Sequence, residues 1–132
     1  MAATGWRRPS SARATGSRPR TNGVALDGNG QTIAILEIGG GFRCGDLQAY
    51  FHEIGVSLPT VTAVSVDHSA NQPTTFDSAN GEVMLDIEVA SAVVPAASLV
   101  VYFGPNHRQG FLHVLSAAVH DAERSPSVIS IS

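Results

Sequence analysis

Residues 31–41 read QTIAILEIGGG. The near-continuous apolar run over 31–38 has the pattern of a strand buried on both faces, as in a parallel sheet, and the three glycines after it read as a loop. Working outward, Leu47, Tyr50, Phe51 and Ile54 fall at i, i+3, i+4 and i+7, the stripe of an amphipathic helix, with Gly55 where it should stop. TVTAVSV (60–66) is β-branched and alternating, a second strand. Asp67 to Asn80 is polar, contains Pro73 and reads as a long surface loop of the kind that is often functional. A helix is predicted over 81–94, with Asn80 as N-cap and Pro95 marking its stop. SLVVYF (98–103) is a third strand, followed by a Gly104-Pro105-Asn106 turn. Phe111, Leu112, Leu115, Ala118 and Val119 form a further helical stripe, and PSVISIS (126–132) reads as a fourth strand. Strands and helices alternating at this spacing predict an α/β fold: a doubly wound parallel sheet with helices on both faces. No internal repeat is visible, and a fold ending on a strand reads as an unfinished sheet.

Composition sets limits around that core. A chain of 132 residues with 43% hydrophobic and 14% charged residues fits one globular domain. No apolar run reaches the roughly 18 residues of a membrane-spanning helix, so no membrane partner is expected. The single cysteine, Cys44, excludes an internal disulfide and a cysteine-based zinc site. Charge is unevenly placed. Residues 1–21 hold five arginines and no acid, whereas residues 22–132 hold three arginines against eleven acids, and there is no lysine. An acidic body without clustered cations argues against nucleic acid as a partner. Residues 1–22 are rich in Ser, Arg, Pro and Gly without hydrophobic period and read as a disordered basic leader, with the folded domain over 23–132. Such a composition is shared by flexible leaders and by organelle transit peptides. No apolar segment of a secretory signal follows the charges, so the localisation stays unassigned.

The chemistry is concentrated in NGEVMLDIEVASAVVPAA. Glu82 and Asp86, four residues apart, lie on one helix face, roughly 40° apart around the axis. The surrounding helix is apolar nearly all round (Val83, Met84, Leu85, Ile87, Val89, Ala90, Val93, Val94), so it is predicted to be mostly buried, with the pair in a cleft or the interior. Neighbouring carboxyl groups in low dielectric share a proton and one pKa rises, which suits acid–base work in acidic solution; a structural hydrogen-bonded pair fits the same pattern. Glu88 belongs to another face. Glu37, inside the first strand, is a third acid where charge is costly unless paired.

The runs GNGQTIAILEIGGGFR, VTAVSVDHSANQPT, GEVMLDIEVASAVVPAA and VVYFGPNHRQGFLHVLSAAVHD resemble the sedolisin family of serine-carboxyl peptidases, most of all its kumamolisin-like members. The resemblance runs from about Val24 to Ser132. It implies a subtilisin-like fold, of which this chain holds about the first third of a catalytic domain. It further implies a Ser–Glu–Asp triad working in acid, in which Glu82 takes the proton of the serine hydroxyl, Asp86 hydrogen-bonds to Glu82, and Glu37 extends that chain. The family's Gly-Thr-Ser segment with the nucleophile is missing from these residues, as are its oxyanion-hole aspartate and its calcium-binding loops. The resemblance therefore implies calcium for the full-length family and no cofactor or metal within this chain. The isolated chain is expected to be inactive, with a peptide or protein substrate and the missing remainder of its own domain as its partners. Family members mostly work outside the cell or in acidic organelles.

Other residues carry plainer readings. His52, His68, His107, His113 and His120 form no metal motif, and Cys44 reads as an incidental thiol. Tyr102, Phe103 and Asn106 follow the third strand, where sheets of this type open their ligand crevice, and are candidates for a substrate-binding wall. Gly39-Gly40-Gly41 with Asp67 ending the next strand mimics a dinucleotide-binding unit, although Cys44 stands where its third glycine is needed. A non-catalytic peptide- or partner-binding remnant is the remaining alternative.

Overall fold

The computed structural model describes residues 18–73 and 78–132; most of the expected leader lies outside them. Residues 18–22 of that leader are described. Arg20–Thr21 (β1) pairs antiparallel with Val24–Ala25 (β2) across Asn22-Gly23, both at positive φ. Asn-Gly is the residue pair that a two-residue hairpin turn demands, so local turn chemistry accounts for a hairpin that composition alone does not reveal.

Four further strands, Thr32–Glu37 (β3), Thr60–Ser65 (β4), Ser98–Phe103 (β5) and Val128–Ile131 (β6), form one parallel sheet in the order β4-β5-β3-β6. Among the described residues three helices cover it: Cys44–Ile54 (α1), Ser78–Val93 (α2) and Arg108–His120 (α3). The expected α/β fold with a doubly wound parallel sheet is therefore present. β3 and β5 are the central strands, and their alternation splits the core in two. Ile35, Leu99, Val101 and Phe103 pack with Phe42, Leu47 and Phe51 around α1 and with Val83 and Ile87 of α2. Ala34, Leu36, Val100 and Tyr102 pack on the opposite face against Val114 and Ala118 of α3. Period-2 alternation in two buried strands thus feeds two separate layers.

α1 carries the chain from β3 past β5 to β4, and α2 brings it back from β4 to β5 on the same face. Two crossovers in opposite directions over one face have opposite hands. α3 then leads from β5 past β3 to β6 on the other face and shares the hand of α1. Given the strong right-handed preference of such units, the β4–α2–β5 connection is the left-handed one. Its consequence is local: α2 lies beside α1 and over β3 rather than on the α3 face.

Two helix readings need correction. α2 starts at Ser78, so Asn80 lies within its first turn and is not the N-cap. In α3 the row that faces the sheet is Gly110, Val114 and Ala118, so Leu112 and Val119 of the predicted stripe are exposed. Among the described residues, no helix is long and apolar enough to cross a membrane.

Candidate active site

Glu37 is the last residue of β3, and strand alternation turns it, like Ile33 and Ile35, toward α1 and α2. It is 5% exposed, and its Oε1 has no hydrogen-bond partner. Burial first, then the charges of Asp86 and Glu82, push its pKa up to about 8. The carboxyl group is therefore protonated through acid and neutral solution.

The two charges come from α2. Val83, Ile87 and Ser91 sit four residues apart and seat the helix on the sheet, with Ser91 Oγ donating to the Ile87 carbonyl at 2.7 Å. Glu82 and Asp86 occupy the adjoining row; Glu82 is exposed and Asp86 half-buried. This corrects the expectation of a mostly buried helix, since Leu85, Val89 and Val93 are 56%, 54% and 66% exposed. An apolar helix has only one row to offer a single sheet, and nothing among the described residues covers the other side. The desolvation predicted for the pair therefore falls on Glu37 instead. No hydrogen bond joins Glu37, Glu82 and Asp86 to one another; Asp86 Oδ2 accepts one from the Ser132 hydroxyl at 2.5 Å, just beyond β6.

A cleft of about 290 Å³ opens at the carboxyl edge of the sheet between Gly39-Gly40, His68–Ala70 with Gln72, and Phe103–Asn106. The loop after β3 turns to the α1 face and the loop after β5 to the α3 face, so the cleft occupies the switch point where such sheets bind ligands. The glycines serve close approach. Gly40, at φ 70°, leaves no room for a Cβ, which would lie 2.8 Å from the backbone of Ala79 in α2.

No family model matches the chain. It is 53% identical over 108 residues to kumamolisin from Bacillus sp. (strain MN-32). That match covers 81% of this chain. The chain belongs to the sedolisin family. It spans about a fifth of that relative, as the match covers 20% of its length.

Within this sedolisin chain, the structure sorts the candidates named from sequence. Glu37, Glu82 and Asp86 come together. Phe103 and Asn106 line the cleft. Tyr102 does not. Its side chain is fully buried on the α3 face, and its hydroxyl donates to Asp121 Oδ2 at 2.8 Å, because alternation along β5 points it away from its neighbour Phe103. Asp67, the acid of the dinucleotide-like pattern, is paired with His113 on α3. His107 caps α3 by accepting from the Gly110 amide at 3.0 Å. Cys44 is exposed at the start of α1. Among the described residues no three His, Cys, Asp or Glu side chains are grouped so as to hold a metal. Sequence reasoning missed Asn71, Ser132 and Asp121, which act through partners far along the chain or through a turn. Only Asp121 gave a signal, an acid just past a helix end where Asx turns form.

Proposed function

We propose that this sedolisin chain supplies the carboxyl half of an acid-working serine-carboxyl peptidase site. The observation that carries this reading is Glu37, a buried carboxyl group with a pKa near 8, beside Asp86 and Glu82 at the carboxyl edge of the sheet. Glu82, the exposed member, takes the proton of a serine hydroxyl as that oxygen attacks a peptide carbonyl. Asp86 and the protonated Glu37 stand behind it as the rest of the carboxyl set, an arrangement suited to acid–base work in acidic solution. The substrate is a peptide or protein lying in the cleft over Phe103 and against Asn106.

The serine belongs to sequence outside these 132 residues, and the isolated chain does not cleave peptides. Calcium belongs outside them as well. It needs six to eight oxygen ligands, which the resemblance assigns to loops elsewhere in the family's domain. The exposed apolar row Leu85, Val89 and Val93, beside the open edge of β6, favours a second role as a docking face for further strands and helices of a longer domain.

The test is a chimera in which residues 24–132 replace the matching stretch of kumamolisin, assayed on a peptide across acid to neutral pH. The expected result is cleavage in acid that Glu82→Ala lowers by about 10²–10⁴-fold. A folded chimera indifferent to Glu82→Ala, or cleavage by the isolated chain, would overturn the proposal.

A further inference from the structure

Asn71 lies in the loop between β4 and α2 and takes no part in the chemistry above. Its side-chain amide meets both backbone polar groups of Phe42: Oδ1 accepts from the Phe42 amide at 2.7 Å and Nδ2 donates to the Phe42 carbonyl at 3.0 Å. One side chain thus pairs with the β3–α1 loop as a neighbouring strand would. Two contacts follow on either side, Gln72 N to the Gly40 carbonyl at 3.3 Å and Arg43 Nη2 to the Pro73 carbonyl at 3.2 Å. Steric fit agrees. A Cβ on Gly41 would lie 2.5 Å from Asn71 Oδ1, and one on Gly40 would strike Ala79 in the first turn of α2. The β3–α1 loop is held between the β4–α2 loop and the start of α2. Glu37 stands at its base, and Glu82 begins the next turn of that helix. The far end of the β4–α2 loop is tied separately, by Asp67 to His113.

We propose that Asn71 is the positioning residue of the carboxyl cluster: its amide clamps the two loops together and so fixes the first turns of α2, with Glu82 and Asp86, over Glu37. As part of an active site this rests on the peptidase reading, but the clamp does not. A merely structural asparagine would stabilise the loops and leave the carboxyl group of Glu37 as it is. A positioning residue sets how closely α2 and the loop cover that group, and hence its titration.

The experiment is a carboxyl-carbon NMR titration of Glu37 in the whole 132-residue chain, with amide exchange of Phe42 as the monitor of the clamp. In Asn71→Ala the Phe42 amide should lose protection by about tenfold or more, and the Glu37 midpoint should fall by about one unit or more as water and solvent screening reach it. Loss of Phe42 protection with an unmoved Glu37 midpoint would make Asn71 merely structural. Unchanged Phe42 protection would remove the clamp itself. If Asn71→Ala does not fold, Gly41→Ala keeps the amide but wedges the loops apart. It should lower the Glu37 midpoint in the same way, and an unmoved midpoint there would equally overturn the assignment. Full activity of the chimera carrying Glu82→Ala would sink the peptidase reading and leave the clamp result standing.

Discussion

Glu37 at the end of β3 and Asp86 on α2 face each other on the α1/α2 side of the sheet; burial foremost, and the charge of Asp86 after it, hold Glu37 at a pKa of about 8. The left-handed return through α2 places the helix acids over this strand. Had α2 lain on the α3 face, Glu37 would have no acid above it.

Glu37 therefore makes stability depend on pH. Below its ordinary value of 4.5 the folded and unfolded chains both carry the proton. Between 4.5 and about 8 the unfolded chain loses it while the folded chain keeps it, so stability falls as pH rises through that window. Glu37→Gln abolishes the dependence. Urea melts should show the variant gaining on the parent by on the order of a few kcal/mol between pH 4 and pH 8.

Asp121 works in the opposite sense. Hydrogen bonds from the backbone and side chain of Arg124 and from the Tyr102 hydroxyl hold its pKa down, to about 2. Its contribution is present above the ordinary value of 3.8 and is lost as pH falls through about 2. Asp121→Ala, which strands the buried Tyr102 hydroxyl, should cost about 1–3 kcal/mol at pH 7, and thermal melts should show that cost shrinking toward pH 2.

Tyr102→Phe separates core from cleft. Loss of one hydrogen bond to Asp121 should cost about 1 kcal/mol in a urea melt and leave the pH dependence of peptide cleavage by the chimera unchanged. A changed cleavage profile would put Tyr102 back in the substrate wall.

Gly40→Ala tests the packing of the β3–α1 loop. The residue sits at φ 70° with Ala79 2.8 Å from the position of an added Cβ. The conformation alone costs about 1–2 kcal/mol, and the contact adds to it. The melt should drop accordingly, and the Glu37 titration should shift with it.

The apolar row on α2 predicts self-association. Leu85→Lys with Val89→Lys replaces two exposed apolar residues without touching Val83 or Ile87, the row that packs. Light scattering should show the parent associating with rising concentration and the double variant remaining monomeric, with little change in melting temperature.

Much of the fold was legible because β3 and β5 are apolar runs and α1 carries a clear stripe. The sheet order and the hand of the α2 crossover were not, since periodicity says which residues are buried but not against which face. Glu37, Glu82 and Asp86 could be named from sequence, yet their burial was assigned to the wrong members. Apolar residues all round α2 describe a helix awaiting cover on two sides, and these residues provide one. Tyr102 and Phe103 are adjacent, so a reading that assigns both to a cleft ignores strand alternation. Asn71 carries no local pattern, because its partner Phe42 lies 29 residues away.

Three carboxyl groups meet at the edge of the sheet, and the proton resides on Glu37. A carboxyl-carbon titration of Glu37 in the parent chain and in Asp86→Asn measures this directly. The expected midpoint is near 8 in the parent and lower, still above 4.5, once the Asp86 charge is gone. A parent midpoint near 4.5, unmoved by Asp86→Asn, would contradict it.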